Sequence, residues 1–432
     1  MKKTLIWHVL ILIVFSASSG LCLEIDMKTA VENGIKNHES IKASKETEKQ
    51  KEYSLKKAQA GRLFTVKGTY SYARLKETPV MKTQGTELES ADKDNYSWKV
   101  TLEQPLFTGF ALTSSQDIAK AETINAELDT KTAELDIAYK IKHAYSDLFL
   151  ALKIVEVRMQ TLETLEAHKE DAKKFYDNGL VPLNDLLKAE VSVSEAEIEL
   201  DKASAAFKSS ASKLNILMGK NPGDPVAISP LKEPKSFEKK YTELEIEAFS
   251  NRPEIRLLKT NMEIADLSKK IAGSNYYPKI YLSAGYEQNG EDYKASDNFH
   301  TNSHNASVGV MAEWIFFDFK KTGSSVKSAE YAKRALLENL GELKKNIAFD
   351  VEVSLRNIKV AEKNIATAKK SISQAEENFR ITNIQYKKQT TTSTEVLNAR
   401  TYLTTAQTGY FRALNEYWSA RADLDRSSGR IF

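Results

Sequence analysis

Cysteine is almost missing from this 432-residue chain: Cys22 is the only one. A single thiol rules out an internal disulfide and a structural thiolate metal site. Proline and glycine are scarce as well, nine and seventeen residues. Four of the prolines (Pro222, Pro225, Pro230, Pro234) share one linker, so the long tracts elsewhere are nearly free of helix breakers. Beyond the N-terminus no run reaches eighteen apolar residues, which leaves β-structure as the only way into a membrane for an exported chain. Neither sign of charge dominates, with 62 Lys and Arg against 59 Asp and Glu. That balance offers no electrostatic case for nucleic acid. Catalytic signatures are absent too. No G-x-S-x-G or H-E-x-x-H occurs, and the Gly-Lys pair in "MGKN" at Met218 lacks the phosphate-binding loop pattern. No catalytic residue, cofactor site or enzyme activity is expected.

What is present begins with "MKKTLIWHVLILIVFSASSGLCLE". A basic start at Lys2 and Lys3, an apolar core from Leu5 to Phe15 and then small residues is the order of a secretory signal. The core is too short for a good spanning helix. Cleavage is expected after Cys22, giving a signal peptide of residues 1–22; cleavage after Gly20 is the alternative. A lipoprotein reading of Cys22 wants a small residue just before it, and Leu21 stands there. Removing Lys2 and Lys3 leaves 60 basic against 59 acidic residues, a net charge near +1.

Periodicity is the strongest signal. Ile141, Leu148, Val155 and Leu162 recur every seven residues, lapse at Lys169 and reach Tyr176; beyond "NGLVP" the row resumes as Leu186, Val193, Leu200, Phe207 and Leu214. Val351, Ile358, Ile365, Ile372, Phe379 and Tyr386, then Val396, Leu403, Tyr410, Tyr417 and Leu424, repeat the pattern 210 residues later. A strict heptad of apolar residues keeps one seam of a helix facing a partner. A second partial row (Ile137, Tyr145, Leu152, Met159) widens the buried face to two neighbours. From Ala111 to Asn178 there is neither Gly nor Pro, enough for a helix on the order of 100 Å. An antiparallel coiled-coil rod would explain the heptads alone.

The segments between the helices argue against a plain rod. "LFTVKGTYSYAR" (63–74) and "YSWKVTLEQPLF" (96–107) alternate apolar and polar residues, and so do "KIYLSAGYEQ" (279–288) and "NASVGVMAEWIF" (305–316). Period two marks strands with one apolar face. "KETPVMKTQGTELESADKDN" and "NGEDYKASDNFHTNSH" read as long exposed loops between them. The chain then divides into a first repeat (23–218), a Pro-rich linker (219–241) and a second repeat (242–432), each running helix, strand, loop, strand, long helix, break, long helix. The strands have roughly the nine to eleven residues that cross a bilayer when tilted, with Tyr72, Tyr96, Trp98, Tyr281, Tyr286 and Trp314 near their ends. Four strands cannot close a barrel. In lipid each unpaired edge group costs several kcal/mol, so several chains would have to pool their strands. A soluble four-stranded sheet capped by helices is the alternative.

In this order of elements the chain resembles the TolC-type outer-membrane efflux family. The likeness rests on "NHESIKASKETEKQKEYSLKKAQAG" and "NRPEIRLLKTNMEIADLSKKIAGSNYYPKI" before the strands, on "QPLFTGF" and "WIFFDF" after them, and on "FYDNGLVPLNDLLKAEV" and "QYKKQTTTSTEVLNART" at the breaks. The resemblance implies a mainly α fold with a membrane β-barrel portion: a homotrimer whose pooled twelve strands form a barrel in outer-membrane lipid, continuous with a coiled-coil helical tunnel in the periplasm. It implies a passive exit duct of a tripartite efflux or type I secretion system, fed by an inner-membrane transporter and a periplasmic adaptor. A periplasmic coiled-coil adaptor is the competing reading, but an adaptor has one helical hairpin where this chain has two.

By the same resemblance the breaks become hairpin tips at the periplasmic entrance. Gly179, Leu180, Val181, Pro182, Gln389 and Thr390 are the expected adaptor-docking residues. Glu395 matches the family's acidic ring, while Asn398 stands where a second acid is usual. Thr391 replaces an arginine of the closing network, and Tyr386 keeps its aromatic. Asp185 is a gate residue or a helix-start charge favoured by the dipole, and Glu395 has a solvated-face reading beside the gate one. Gly179 suits a left-handed helix end; Asn184 or Asp185, and Ser393 or Thr394, are the expected caps of the returning helices. His143 and His168 read as surface or tunnel-wall residues. His300 and His304 sit in a loop without carboxylate partners, so no metal is expected there. The terminal Phe432 follows a helix and carries little weight as a barrel signal.

Overall fold

The computed structural model describes residues 24–83, 85–296, 298 and 302–432. The signal segment, with Cys22, and His300 lie outside the described residues. The elements run α1 (Met27–Asn37), α2 (Glu39–Ala60), β1 (Thr65–Arg74), β2 (Val80–Thr83), β3 (Thr86–Glu89), β4 (Asp94–Thr108), α3 (Ala111–Asp177), α4 (Leu183–Leu217), α5 (Tyr241–Asn251), α6 (Pro253–Gly273), β5 (Lys279–Gly290), β6 (His304–Glu313), α7 (Lys321–Lys387) and α8 (Ser393–Ser427). No described helix is long and apolar enough to cross a membrane.

The duplication holds to the residue. The long helices α3 and α7 have 67 residues each and begin 210 positions apart, at 111 and 321; α4 and α8 have 35 each and begin at 183 and 393. Left-handed backbone recurs at the same spacing: Gly109 and Phe110 match Phe319 and Lys320, Gly179 matches Gln389, and Gly219 matches Gly429. Before the second strand of each repeat the spacing is 214 instead, as at the starts of α1 and α5 (27 and 241) or β1 and β5 (65 and 279). The four-residue difference falls in the inter-strand loops.

Two compact units divide the chain. One comprises Met1–Ser44, Thr130–Pro253 and Lys344–Phe432, the other Lys45–Asp129 and Glu254–Leu343. The second unit holds a four-stranded antiparallel sheet in the order β1-β4-β5-β6. Its cross-strand rows separate cleanly. Val66, Leu102, Ala284 and Val308 face one way with Gly68, Val100, Tyr286 and Ala306; Lys67, Thr101, Gly285 and Ser307 face the other with Thr69, Lys99, Glu287 and Asn305. Tyr72 stacks on Tyr96 at 4.6 Å between ring centroids, and Lys99 pairs with Glu287 at 3.2 Å on the polar face. The apolar face is bare: Val66 is 58% exposed and Val308 78%. At Pro105, which has no N–H to give, a bulge shifts the β4–β5 register. β6 ends at Glu313, ahead of Trp314 to Phe316, so the exposed Phe316, Phe317 and Phe319 belong to the connection into α7.

The stretch between β1 and β4 is not a plain loop. β2 and β3 pair as a short hairpin of their own, Val80 opposite Glu89, with Gly85 left-handed at its turn. Four-residue strands carry too little alternation to stand out from a polar segment.

The core of the first unit follows the heptads in part. Ile141, Leu148, Val351, Ile358, Val396, Leu403 and Leu424 are all buried. On α3, however, the buried stripe moves to Val157, Thr161, Leu165, His168 and Ala172, leaving Met159 and Tyr176 exposed. A straight helix of 3.6 residues per turn drifts off a seven-residue row. At the chain start, Ile25 bridges Ile228 and the Tyr145 hydroxyl meets the carbonyls of Ile25 (2.9 Å) and Ser229 (2.7 Å). The end is held by a buried ion pair, Lys142 to Asp425 at 2.6 Å, with Lys142 over the Phe432 ring.

Gly34 marks a close crossing in that unit. A β-carbon there would overlap the Ile141 δ-carbon and stand 3.0 Å from the Leu217 carbonyl oxygen. Gly34→Val is therefore expected to cost about 1–3 kcal/mol by overpacking, read as a lowered midpoint in thermal unfolding. A midpoint equal to the parent's would show that α1 stands off from α3.

Candidate functional site

The two breaks that interrupt the heptad rows have one backbone. In the first, the Gly179 N–H donates to the Tyr176 carbonyl (2.8 Å) and the Leu180 N–H to the Phe175 carbonyl (2.8 Å); in the second, Gln389 donates to Tyr386 (2.8 Å) and Thr390 to Gln385 (2.9 Å). Both are Schellman ends, which satisfy carbonyls that the helix leaves open and require a left-handed residue. Gly179 takes that conformation (φ 70°) without penalty. Gln389 takes it too (φ 60°), at the cost an L-residue pays there.

The returning helices start earlier than the sequence led us to expect. Pro182 occupies the cap of α4 without a side-chain bond, and the Asp185 N–H donates to its carbonyl at 3.0 Å. Proline has no N–H to satisfy and its fixed φ suits a helix entrance, so neither Asn184 nor Asp185 caps. On α8 the cap is Thr392, whose hydroxyl accepts from the Glu395 N–H at 3.4 Å, and not Ser393 or Thr394.

Ser393 is instead fully buried, 2.8 Å from His168 Nε2 on α3. His168 is 5% exposed and so is not a surface or wall residue. Its ring lies 4.7 Å from that of Tyr386, which in turn lies 5.5 Å from Phe175. Among the described residues nothing bonds His168 Nδ1, which is buried, and the Tyr386 hydroxyl is buried beside Ser393. Around this knot, Lys387 approaches Asp171 (3.8 Å) and Lys188 donates to Thr394 (3.2 Å), tying one hairpin to the other. Thr391 is half-buried in the turn. Sequence reasoning placed Tyr386 here, read His168 as a surface or wall residue and Ser393 as a cap, and missed Asp171 and Lys387. His143, the other helix histidine, is half-buried and meets Asp423 at 2.9 Å.

The remaining expected site residues stay on the surface. Gly179, Leu180, Pro182, Gln389 and Thr390 are exposed at the tips, Val181 half-covered. Glu395 and Asn398, one turn apart on α8, are both exposed, at the edge of the stripe formed by buried Val396, Ala399 and Leu403. Asp185 is half-buried. No group of His, Cys, Asp and Glu among the described residues could hold a metal ion; His304 lies in β6 opposite Gln288.

Burial pushes the His168 pKa below its usual 6.5, against the partial pull of Asp171 on its own helix and Asp185 on α4. On α7 the flanking groups are the Tyr386 phenol, itself raised by burial and Asp185, and Lys387. The folded state thus binds this proton less readily than the unfolded chain. Stability from the neutral ring is complete above 6.5 and drains away as pH falls towards the lower folded value. The thermal unfolding midpoint and the amide protection at the tips are expected to fall from about pH 7.5 to about pH 5.5, and His168→Gln to flatten that dependence. Parallel pH profiles for the two proteins would assign the effect elsewhere.

The same architecture recurs in solved channels. VceC of Vibrio cholerae superposes with a TM-score of 0.78 at 18% identity, covering 94% of this chain and 96% of that one. CmeC of Campylobacter jejuni gives 0.81 at 14% identity over 93% and 85%, and the open-state MtrE channel of Neisseria gonorrhoeae 0.72 at 15% over 94% and 89%. No curated protein sequence matches the chain. Residues 31–220 and 246–430, the two repeats, match the sequence model of the outer membrane efflux proteins, and the chain belongs to that family.

Proposed function

We propose that this chain forms, as a homotrimer, the passive outer-membrane exit duct of a tripartite efflux or type I secretion system. The observation that carries the reading is the sheet of β1, β4, β5 and β6. Its apolar face is uncovered within the chain, and both edge strands, β1 and β6, are exposed along their length. An apolar face with open edges is costly in water and, unpaired, worse in lipid. Pairing β6 of one copy with β1 of the next removes every edge, sets the apolar rows against lipid and leaves Lys99 and Glu287 towards an aqueous lumen. A periplasmic adaptor would have no use for such a sheet.

The helices of the first unit then line the periplasmic passage. At its entrance the first tip, with exposed Leu180, Leu183 and Leu187, suits docking of a periplasmic adaptor, while the second, with Gln389 and Thr390, is polar. An inner-membrane transporter supplies the cargo, and the duct itself performs no chemistry. Glu395 and Asn398 face the pore in three copies, one acid per chain, so the constriction draws cations and repels anions.

Fractionation is expected to place the mature protein in the outer membrane, and the purified protein to conduct in planar bilayers. Recovery wholly in the soluble periplasmic fraction would sink the reading. Glu395→Gln is expected to lower the cation-over-anion permeability ratio by roughly twofold or more at about 0.01 M salt, where the Debye length is ~30 Å. An unchanged ratio with intact conductance would return Glu395 to a solvated face.

A further inference from the structure

Arg400 is a buried cation without an anion. It lies on α8 seven residues beyond Ser393, roughly 10 Å along the helix, and is 3% exposed. Its Nη2 donates to Thr161 Oγ1 on α3 at 2.9 Å, and its guanidinium carbon lies 5.7 Å from the centroid of the Phe379 ring. Nε is buried with no partner. Among the described residues no carboxylate oxygen comes within ion-pair distance of it. The Thr161 hydroxyl is itself committed, donating to the Val157 carbonyl at 2.7 Å and meeting Thr404 at 3.0 Å.

Removing a guanidinium from water costs several kcal/mol, and one hydrogen bond with one ring face repays only part of that. Burial draws the pKa of Arg400 down, yet arginine keeps its proton in proteins. The charge therefore remains and needs a counterpart. Beside it is the space for one. Arg400 lines a cavity of about 380 Å³ bounded by α3, α4 and α8, far above the ~10–15 Å³ that a single water requires. Ser192 and Thr405 also line it, and their hydroxyls make no hydrogen bond among the described residues. Glu199 on its wall is already held by Lys202 (2.9 Å) and Arg158 (3.3 Å), while Glu195 is exposed at the rim.

We propose that this cavity binds a small oxyanion, inorganic phosphate or a carboxylate, gripped by the Arg400 fork with the Ser192 and Thr405 hydroxyls completing its shell. A guanidinium matches two oxygens of such a group with two parallel hydrogen bonds. The occupant would strap α3, α4 and α8 together two turns from the second tip. Its binding depends on neither the membrane location nor the export role.

Calorimetric titration of the detergent-solubilised full-length protein tests this, with potassium phosphate in one arm and potassium acetate in the other, at matched ionic strength. One saturable site per chain is expected in at least one arm, and the arm that saturates first names the class of oxyanion. Arg400→Met is expected to abolish it. Arg400→Lys keeps the charge and loses the fork, and is expected to bind at least about tenfold more weakly; it decides the matter if the methionine variant does not fold. Arg412→Gln, at the exposed rim, is expected to bind within about twofold of the parent. Absence of saturation in both arms, or equal binding by the Arg400 variants, overturns the proposal and leaves the charge to be met by a carboxylate of another chain.

Discussion

A strand in hydrocarbon must have its backbone paired on both sides, and this chain supplies four strands with two open edges. Much of its organisation follows from that shortage. The central rows of β1, β4, β5 and β6 sort apolar from polar side chains from strand to strand, which gives the sheet one apolar and one polar face. Helix cannot relieve the shortage, since the described helices are too polar to span. The two repeats share the sheet evenly, β1 and β4 from the first and β5 and β6 from the second.

Duplication fixes backbone more strictly than side chains. Gly179 and Gln389 share one left-handed turn although only glycine suits it, and Phe110 and Lys320 share another. Strain at Gln389 is tolerated because the surrounding hydrogen bonds over-determine the turn. What differs between the repeats is the chemistry hung on it: Gly, Leu and Pro at one tip, Gln and Thr at the other, while both returning helices keep an acid in the first turn, Asp185 and Glu395. The asymmetry extends inward, where His168 of the first hairpin meets Ser393 and Tyr386 of the second. A knot of polar groups at a helix crossing specifies its register more sharply than leucines would.

The helices, the sheet and the family were legible in the sequence because their signals are periodic and long. Heptads found Ile141, Leu148, Val351 and Leu403, and period two found the four sheet strands. The polar core was not legible. Counting apolar residues passes over Thr161, His168, Ser393 and Arg400, so the row on α3 seemed to lapse at Lys169 when the buried position was His168, one residue before it. Caps were placed one to three residues late, since Ser, Thr and Asp attract the eye where Pro182 and Thr392 do the work. β2 and β3 are too short for any pattern to emerge. The placement of Glu395 and Asn398 on an exposed face was readable from heptad phase; the role of that face came from resemblance alone.

The equal lengths of α3 with α7 and of α4 with α8 amount to a ruler held in four places. Seven residues added to α3 alone would leave α4 unable to return in phase, and a matched change in one repeat would leave its tip out of step with the other. Reach can therefore evolve only through four coordinated insertions, whereas the loops between strands have already drifted by four residues without disturbing anything beyond them. A chain built this way inherits its helix lengths as a single indivisible quantity and is free to vary only between its strands.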